Sequence, residues 1–201
     1  MKRCYGRYCP VSHALDLVGE RWALLVVTEL LDGPKRYSDL AEALGIGTNI
    51  LAARLRELEA AGVVSKRRLP PPAASQVYEL TEYGVGLKPV LHELAHWGAR
   101  SLGPPTVETE LFPGWLAHAL GMALPPAAEG RIEFRVDDEV ASLEGGEVRA
   151  GGLEDPDAVV ETDPAGFFHL VVDGDPSGVE IHGDRQALER LLVAARAPAP
   201  V

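Results

Sequence analysis

Residues 37–62, YSDLAEALGIGTNILAARLRELEAAG, hold two apolar-periodic segments broken by Gly45-Ile46-Gly47. Tyr37-Ser38-Asp39-Leu40 reads as an N-cap and first turn of a helix continuing to Leu44. Thr48 reads as the cap of a second helix from Asn49 to Ala61, with Gly62 at the left-handed position that closes it. Two short helices joined by a glycine-bearing turn form a helix-turn-helix arrangement. With a turn of about 100° per residue, Leu51, Leu55 and Leu58 share one face, and Leu44 can pack beneath them. Asn49, Ala53, Arg56 and Ala60 share the opposite face, flanked by Ala52. A helix that buries one side and offers the other to solvent fits the major groove of DNA. Asn49 near its start suits an adenine edge, and Arg56 farther along suits a phosphate. An ordinary amphipathic helix with a solvated polar face has the same pattern, so this helix alone does not decide. Ala52 and Ala53 offer only methyl contacts, which shifts the expected affinity toward Thr48, Asn49 and the backbone.

The flanks add weight. Val63 to Arg68 and Gln76 to Leu80 read as strands, separated by Leu69-Pro70-Pro71-Pro72-Ala73-Ala74-Ser75, which is too proline-rich for ladder pairing. A hairpin with a loose tip directly after such a helix is a wing. Lys66, Arg67 and Arg68 are consecutive, so one or two face any phosphate backbone laid against the strand. Lys35-Arg36 places cations on the other flank, with Ser38 just beyond. Upstream, residues 1–10 form an arm, and Ser12 reads as the cap of a helix carrying Ala14, Leu15, Leu17 and Val18. Gly19 interrupts it before an apolar helix from Trp22 to Leu31, which stops at Asp32-Gly33-Pro34. Downstream, Thr81 reads as the cap of one helix carrying Leu87, Val90, Leu91, Leu94 and Trp97, kinked by Pro89.

The net charge of −11 argues against a nucleic-acid partner until it is divided. Met1 to Pro104 carries 13 Lys and Arg against 11 Asp and Glu, and Pro105 to Val201 carries 6 against 19. Affinity for DNA comes from cations placed near phosphates, so the local field matters more than the total. The acidic half must then point away from DNA. No apolar run has the length of a membrane span, and the N-terminus lacks a signal-peptide stretch, so the expectation is a cytoplasmic protein without membrane contact. Cys4 and Cys9 give no disulfide framework. With His13 they match no strong zinc spacing, so neither metal nor cofactor is expected.

The second half shows no catalytic signature. Pro113 to Leu120 reads as a short helix. Ile132, Phe134 and Val136 alternate with Arg131, Glu133 and Arg135, and turns are marked by Asp137-Asp138 and Gly145-Gly146. A strand over Asp157 to Thr162, a helix from Asp163-Pro164, a strand over Val179 to His182 and a closing helix capped by Asp184 follow. The Ala/Pro tail reads as disordered.

Several stretches together resemble the HxlR-type winged-helix regulators, a MarR-like group. They are Cys9-Pro10-Val11 with Leu15-Asp16-Leu17-Val18-Gly19-Glu20-Arg21-Trp22, Gly33 to Leu40, Leu51 to Glu59, and Tyr78-Glu79-Leu80-Thr81-Glu82-Tyr83-Gly84. Gly47, Ala52 and Ala53 depart from the pattern, where polar residues are commoner. The resemblance implies a homodimer formed through the first and last helices, with two recognition helices in adjacent major grooves of a palindromic operator. A domain this small also cannot hide both the 22–31 helix and the stripe Leu87, Leu91, Leu94, which points to a partner copy. In several members of the family a cysteine before the first helix responds to electrophiles or oxidants. Cys9 stands at that place, and a helix N-terminus with Arg7 nearby would lower its pKa. The plain alternative is a half-buried packing thiol.

From Val159 to Phe168 and from Val179 to Leu188 the second half resembles sterol carrier protein 2-like (SCP2-like) domains. That resemblance implies a sheet and helices around an apolar tunnel. Trp115, Leu116, Leu120, Phe134, Phe167 and Phe168 could line one and take a small apolar ligand. They could also fill a core, which is the expected state for a unit of about 90 residues.

The sequence therefore reads as an α+β protein. Residues 1–100 form a winged helix-turn-helix for DNA binding and dimerisation, 101–109 a linker and 110–197 an SCP2-like sheet-and-helix domain. The expected activity is transcription regulation on double-stranded DNA, not enzymatic, and modulated by an apolar ligand or by thiol modification. The alternative is a small-molecule or lipid carrier whose winged helix serves dimerisation.

Overall fold

Chain contacts divide the protein between Leu91 and His92 into two units, each with its own apolar core. The computed structural model describes residues 4–70, 74–124 and 128–196. The start of the N-terminal arm, the middle of the proline-rich wing loop at 71–73 and the Ala/Pro tail from 197 lie outside the described residues.

The first unit runs α1 (Pro10–Val18), α2 (Ala23–Leu31), β1 (Lys35–Arg36), α3 (Tyr37–Leu44), α4 (Thr48–Ala60), β2 (Val64–Arg68), β3 (Gln76–Leu80) and α5 (Glu82–Val85). The strands form an antiparallel sheet in the order β1-β3-β2, with Lys66 opposite Tyr78 and Lys35 on the other side of the same tyrosine. Val26, Val27, Leu30, Leu40, Leu51, Leu55 and Leu58 are each no more than 2 % exposed. Each such side chain contributes roughly 1.5–3 kcal/mol relative to solvent. Gly84 packs so closely on the wing that a Cβ there would meet the Val63 carbonyl oxygen. Only glycine lets the chain turn back onto β2 at that point.

Three expected boundaries move, each for a physical reason. α1 begins at Pro10 with Cys9, not Ser12, at its N-cap, because proline at a first helical position has no N–H to satisfy and a pre-set φ. Gly47, not Thr48, caps α4, and Thr48 is its first residue. The single kinked helix after Thr81 is two helices, α5 and α6 (Lys88–Leu102), separated at Gly86. Pro89 falls in the first turn of α6, so it breaks no hydrogen bond and kinks nothing. α6 starts in the first unit, where Leu91 joins the core, and its residues from His92 onward belong to the second.

The second unit adds α7 (Trp115–Ala123), β4 (Arg131–Val136), β5 (Glu139–Glu144), β6 (Glu147–Ala150), β7 (Ala158–Thr162), α8 (Pro164–Phe168) with a π-helical turn His169–Asp173, β8 (Glu180–Gly183) and α9 (Arg185–Arg196). The sheet order is β6-β5-β4-β7-β8, antiparallel except for the parallel pair β4 and β7. Ile132 and Phe134 share their face with Leu143 and Ala141, their register partners. One apolar cluster joins that face to Leu116 and Leu120 of α7, Phe167 and Leu170 of the α8 segment, and Leu188 and Leu191 of α9. Glu139 on β5 accepts from the backbone N–H groups of Gly114 and Leu116, so a carboxylate sits at the positive end of α7.

Simple alternation fails at one position. Glu133, expected outward, is 4 % exposed. It accepts from the Leu153 N–H at 2.7 Å and pairs with Arg135 at 2.7 Å, while Gly152 leaves room for its carboxylate. Burial alone would raise its pKa, but the Leu153 N–H and the Arg135 guanidinium outweigh it and hold the group ionised.

The Nε2 of the mostly buried His92 has no hydrogen-bond partner among the described residues. Burial first, then the neighbouring His96 ring at 4.5 Å, lowers its pKa from the ordinary 6.5. The unfolded chain therefore takes up a proton that the folded chain resists, and this contribution to stability is lost as pH falls below about 6.5. Thermal melts between pH 5 and 8 should show a falling midpoint on the acid side, with a shallower fall in His92→Leu. An identical pH slope in the variant would contradict this.

Candidate nucleic-acid interface

The helix pair α3 and α4 is fixed from both ends. Arg36 caps α3, and its N–H donates to the Asp39 carboxylate at 3.1 Å. That bond, with the Ser38 hydroxyl and the nearby Arg36 and Lys35 charges, keeps the Asp39 pKa below the usual carboxylate value. The Tyr37 hydroxyl donates to the Thr48 carbonyl and ties the first residue of α3 to the first residue of α4. Arg54, with a side chain only 15 % exposed, pairs with Glu57 on the same helix and lies 3.6 Å from Glu20 ahead of α2. These clamps were not legible from local spacing, because each joins residues distant in sequence or depends on a rotamer.

Leu51, Leu55 and Leu58 face inward, as the helical period predicts. Thr48, Asn49 and Arg56 are exposed, and Ala52 and Ala53 are half-buried between the two faces. The Arg56 Nε donates to the Ala52 carbonyl at 3.0 Å, one turn back on the same helix, and among the described residues no carboxylate neutralises it. Ser38 and Arg36 are exposed at the start of α3.

The wing cations are exposed but not equivalent. Lys66 lies 5.0 Å over the Tyr78 ring and 3.9 Å from Glu59, and the Tyr78 hydroxyl and Glu59 raise its pKa despite slight burial. Arg67 pairs with Glu79 at 2.8 Å. Among the described residues Arg68 reaches only the Ala74 carbonyl, at 3.3 Å, and keeps its charge available. Lys35 departs most from expectation. It is half-buried, 2.7 Å from Glu29 and 3.7 Å from Asp32, so it anchors β1 to α2 and is a poor phosphate ligand. The cations best placed to meet an anion are Arg36, Arg56 and Arg68.

Cys9 is partly exposed at the α1 N-cap. The backbone N–H and the hydroxyl of Ser12, then the Val11 N–H, lower its pKa below the ordinary thiol value. Arg7 has no part in this, contrary to the sequence reading. Cys4 instead donates to the Asp16 carboxylate at 3.2 Å. Cys4, Cys9 and His13 do not gather as a metal site. Among the described residues the group that could is Glu161, Glu180 and His182, and there Arg135 already pairs with Glu161 at 2.8 Å.

Of the six side chains that could line an apolar tunnel or fill a core, Leu116, Leu120 and Phe134 are at most 2 % exposed and belong to the core cluster. Trp115, Phe167 and Phe168 do border a cavity, on the side of α7 away from the sheet.

Residues 17–105 match the HxlR-like helix-turn-helix family. The chain is 36 % identical over 98 residues to YvaP of Bacillus subtilis, an uncharacterized HTH-type transcriptional regulator, covering 48 % of this chain and 91 % of that one. It is 37 % identical over 98 residues to the HTH-type transcriptional regulator YodB of Bacillus subtilis, covering 48 % of this chain and 88 % of that one. The solved structure of reduced YodB superposes at 35 % identity with a TM-score of 0.43, over 50 % of this chain and 100 % of that one. These relatives are transcriptional regulators, and no helix among the described residues here is long and apolar enough to cross a membrane. Through its N-terminal half, the chain belongs to the HxlR-like helix-turn-helix family.

Proposed function

We propose that the chain is a homodimeric, sequence-specific DNA-binding regulator that lays α4 in the major groove of a palindromic operator. The observation that carries this is the division of α4 into a fully buried leucine face and an exposed face bearing Thr48, Asn49 and Arg56. Asn49, one residue inside the helix, suits base readout. Arg56, with Arg36 and Arg68 on the flanks, suits phosphates, with Lys66 and Arg67 adding field in spite of their acidic neighbours.

The dimer reading rests on apolar side chains left in solvent: Val11 and Leu15 on α1, and Val90, Leu94 and Trp97 on α6, all more than 40 % exposed. These residues lie on the first and last helices, through which the family resemblance implies a dimer, whereas the 22–31 helix and Leu91, named on packing grounds, supply little of it. Val26, Val27, Leu30 and Leu91 are buried within the first unit and need no partner. The second unit we read as SCP2-like, supported by its order of helix, hairpin strands, strand, short helix, strand and helix.

Cys9 we read as a thiol sensor. The helix N-terminus favours its thiolate, which can add to the double bond of an electrophile such as N-ethylmaleimide, the ring carbon then taking a proton. Mass spectrometry at pH 7 should show Cys9 modified ahead of Cys4, with operator affinity altered in the native chain and unaltered in Cys9→Ser. Faster modification of Cys4, or the same response in Cys9→Ser, would contradict it.

The DNA-binding reading is tested by gel shift on the upstream region of the chain's own gene across a salt series. Asn49→Ala should cost about 1–3 kcal/mol and relax discrimination at one base position. Arg56→Ala or Arg68→Ala should weaken all sequences evenly and reduce the salt slope by about 1 each. No specific complex, or a salt slope unmoved by these changes, would refute the reading.

A further inference from the structure

The second unit contains a cavity of about 630 Å³ between α6, α7 and the α8 segment. That size lies within the range of roughly 300–1,000 Å³ typical of small-molecule sites. It exists because one face of α6 is built of small residues. Ala95, Gly98 and Ala99 line it, and a Cβ added at Gly98 would meet nothing within 4 Å. α7 faces two ways: Leu116 and Leu120 are buried against the sheet, whereas Trp115, His118 and Ala119 border the cavity. Phe167 closes one side, its ring edge-on to Trp115 with centroids 5.7 Å apart.

The lining identifies what the cavity can hold. Among the described residues it includes no Asp, Glu, Lys or Arg, in a chain of which 24 % is charged. An ion entering it would lose hydration without gaining a counter-charge, so the occupant is neutral. Polar groups are few. The His96 Nε2 is already 3.1 Å from the Ala123 carbonyl, whereas the His118 imidazole has no hydrogen-bond partner among the described residues and only the Phe112 ring as an aromatic neighbour. Three rings, Trp115, Phe167 and Phe168, set in otherwise mostly aliphatic walls beside one free imidazole, suit a compact aromatic molecule with a single hydrogen-bonding group.

We propose that this cavity is an effector site for a compact, neutral, largely aromatic molecule held by apolar contact and one hydrogen bond to His118. The effector role rests on the DNA-binding reading above. α6 supplies the link, since it carries Leu91 in the core of the first unit and Ala95, Gly98 and Ala99 in the wall of the cavity. A ligand that favours one setting of α6 over another shifts DNA affinity by that difference in binding.

The test uses the full chain and two probes that share an anilinonaphthalene frame: neutral N-phenyl-1-naphthylamine, and 8-anilinonaphthalene-1-sulfonate, which adds a fixed negative charge. The expected result is saturable binding of the neutral probe at one site per chain, with the sulfonate at least tenfold weaker. Gly98→Leu should weaken the neutral probe at least tenfold at an unchanged melting temperature, and His118→Phe should weaken it several-fold. Ala119→Leu replaces Gly98→Leu should that variant fail to fold. Absence of saturable binding, equal affinity for both probes, or native affinity in the cavity-filling variant would overturn the site. Saturating neutral probe should change operator affinity at least threefold in the native chain and not in Gly98→Leu, and an unmoved operator affinity overturns the effector role. A chain that binds the probe but never an operator overturns the DNA-binding reading and leaves the site standing.

Discussion

The structure of the first unit turns on the burial of Leu51, Leu55 and Leu58, which are at most 1 % exposed in a core shared with α2, α3 and the wing. Removing any one of them would cost about 2–5 kcal/mol, a large part of a small domain's stability. Because the three lie along one stripe of a regular helix, burying them dictates which side chains look outward. Thr48, Asn49 and Arg56 are exposed as a geometric consequence of that packing, and Tyr37 and Arg54 set where the helix begins and how it lies. The exposed face is thus set by the packing of the core beneath it, which the proposed reading of base edges requires.

Charge is arranged with similar economy. The chain is acidic overall, yet its first half is slightly basic, and several of its cations are internally paired. Lys35 serves the fold by joining β1 to α2. Lys66 and Arg67 stiffen the wing through Tyr78, Glu59 and Glu79. Pairs of this exposed kind contribute little to stability, about 0–1 kcal/mol each, and can exchange a carboxylate for a phosphate at small cost. Arg36, Arg56 and Arg68 begin without that competition, or with less of it. Only part of the formal basic count is therefore free to act on a polyanion.

Much of this was legible in the sequence because it follows from period and punctuation. The leucine spacing on α4, the glycine after it, the hairpin turns at Asp137-Asp138 and Gly145-Gly146, and the aspartate that leads into α9 are all local signals with a physical cause. What was not legible depends on residues brought together from afar. Glu133 is buried because Gly152 and the Leu153 N–H come to it from another segment. The helix after Thr81 ends at Gly86 and restarts at Lys88, with Gly84 held close to the Val63 carbonyl in between. At α1 the hydroxyl of Ser12 signalled a cap, but proline's preference for the first helical position puts the helix start two residues earlier. The cavity bordered by α6 was not legible because α6 reads as part of the winged helix, whereas its residues from His92 onward belong to the C-terminal unit.

Hydrogen exchange of the full chain, with and without bound operator duplex, addresses the central claim most directly. The account predicts slowed exchange along residues 48–60 and in the hairpin strands at 64–68 and 76–80, with the sheet from 131 to 183 unchanged by DNA. Slowed exchange confined to that acidic sheet, with α4 unaffected, would contradict it.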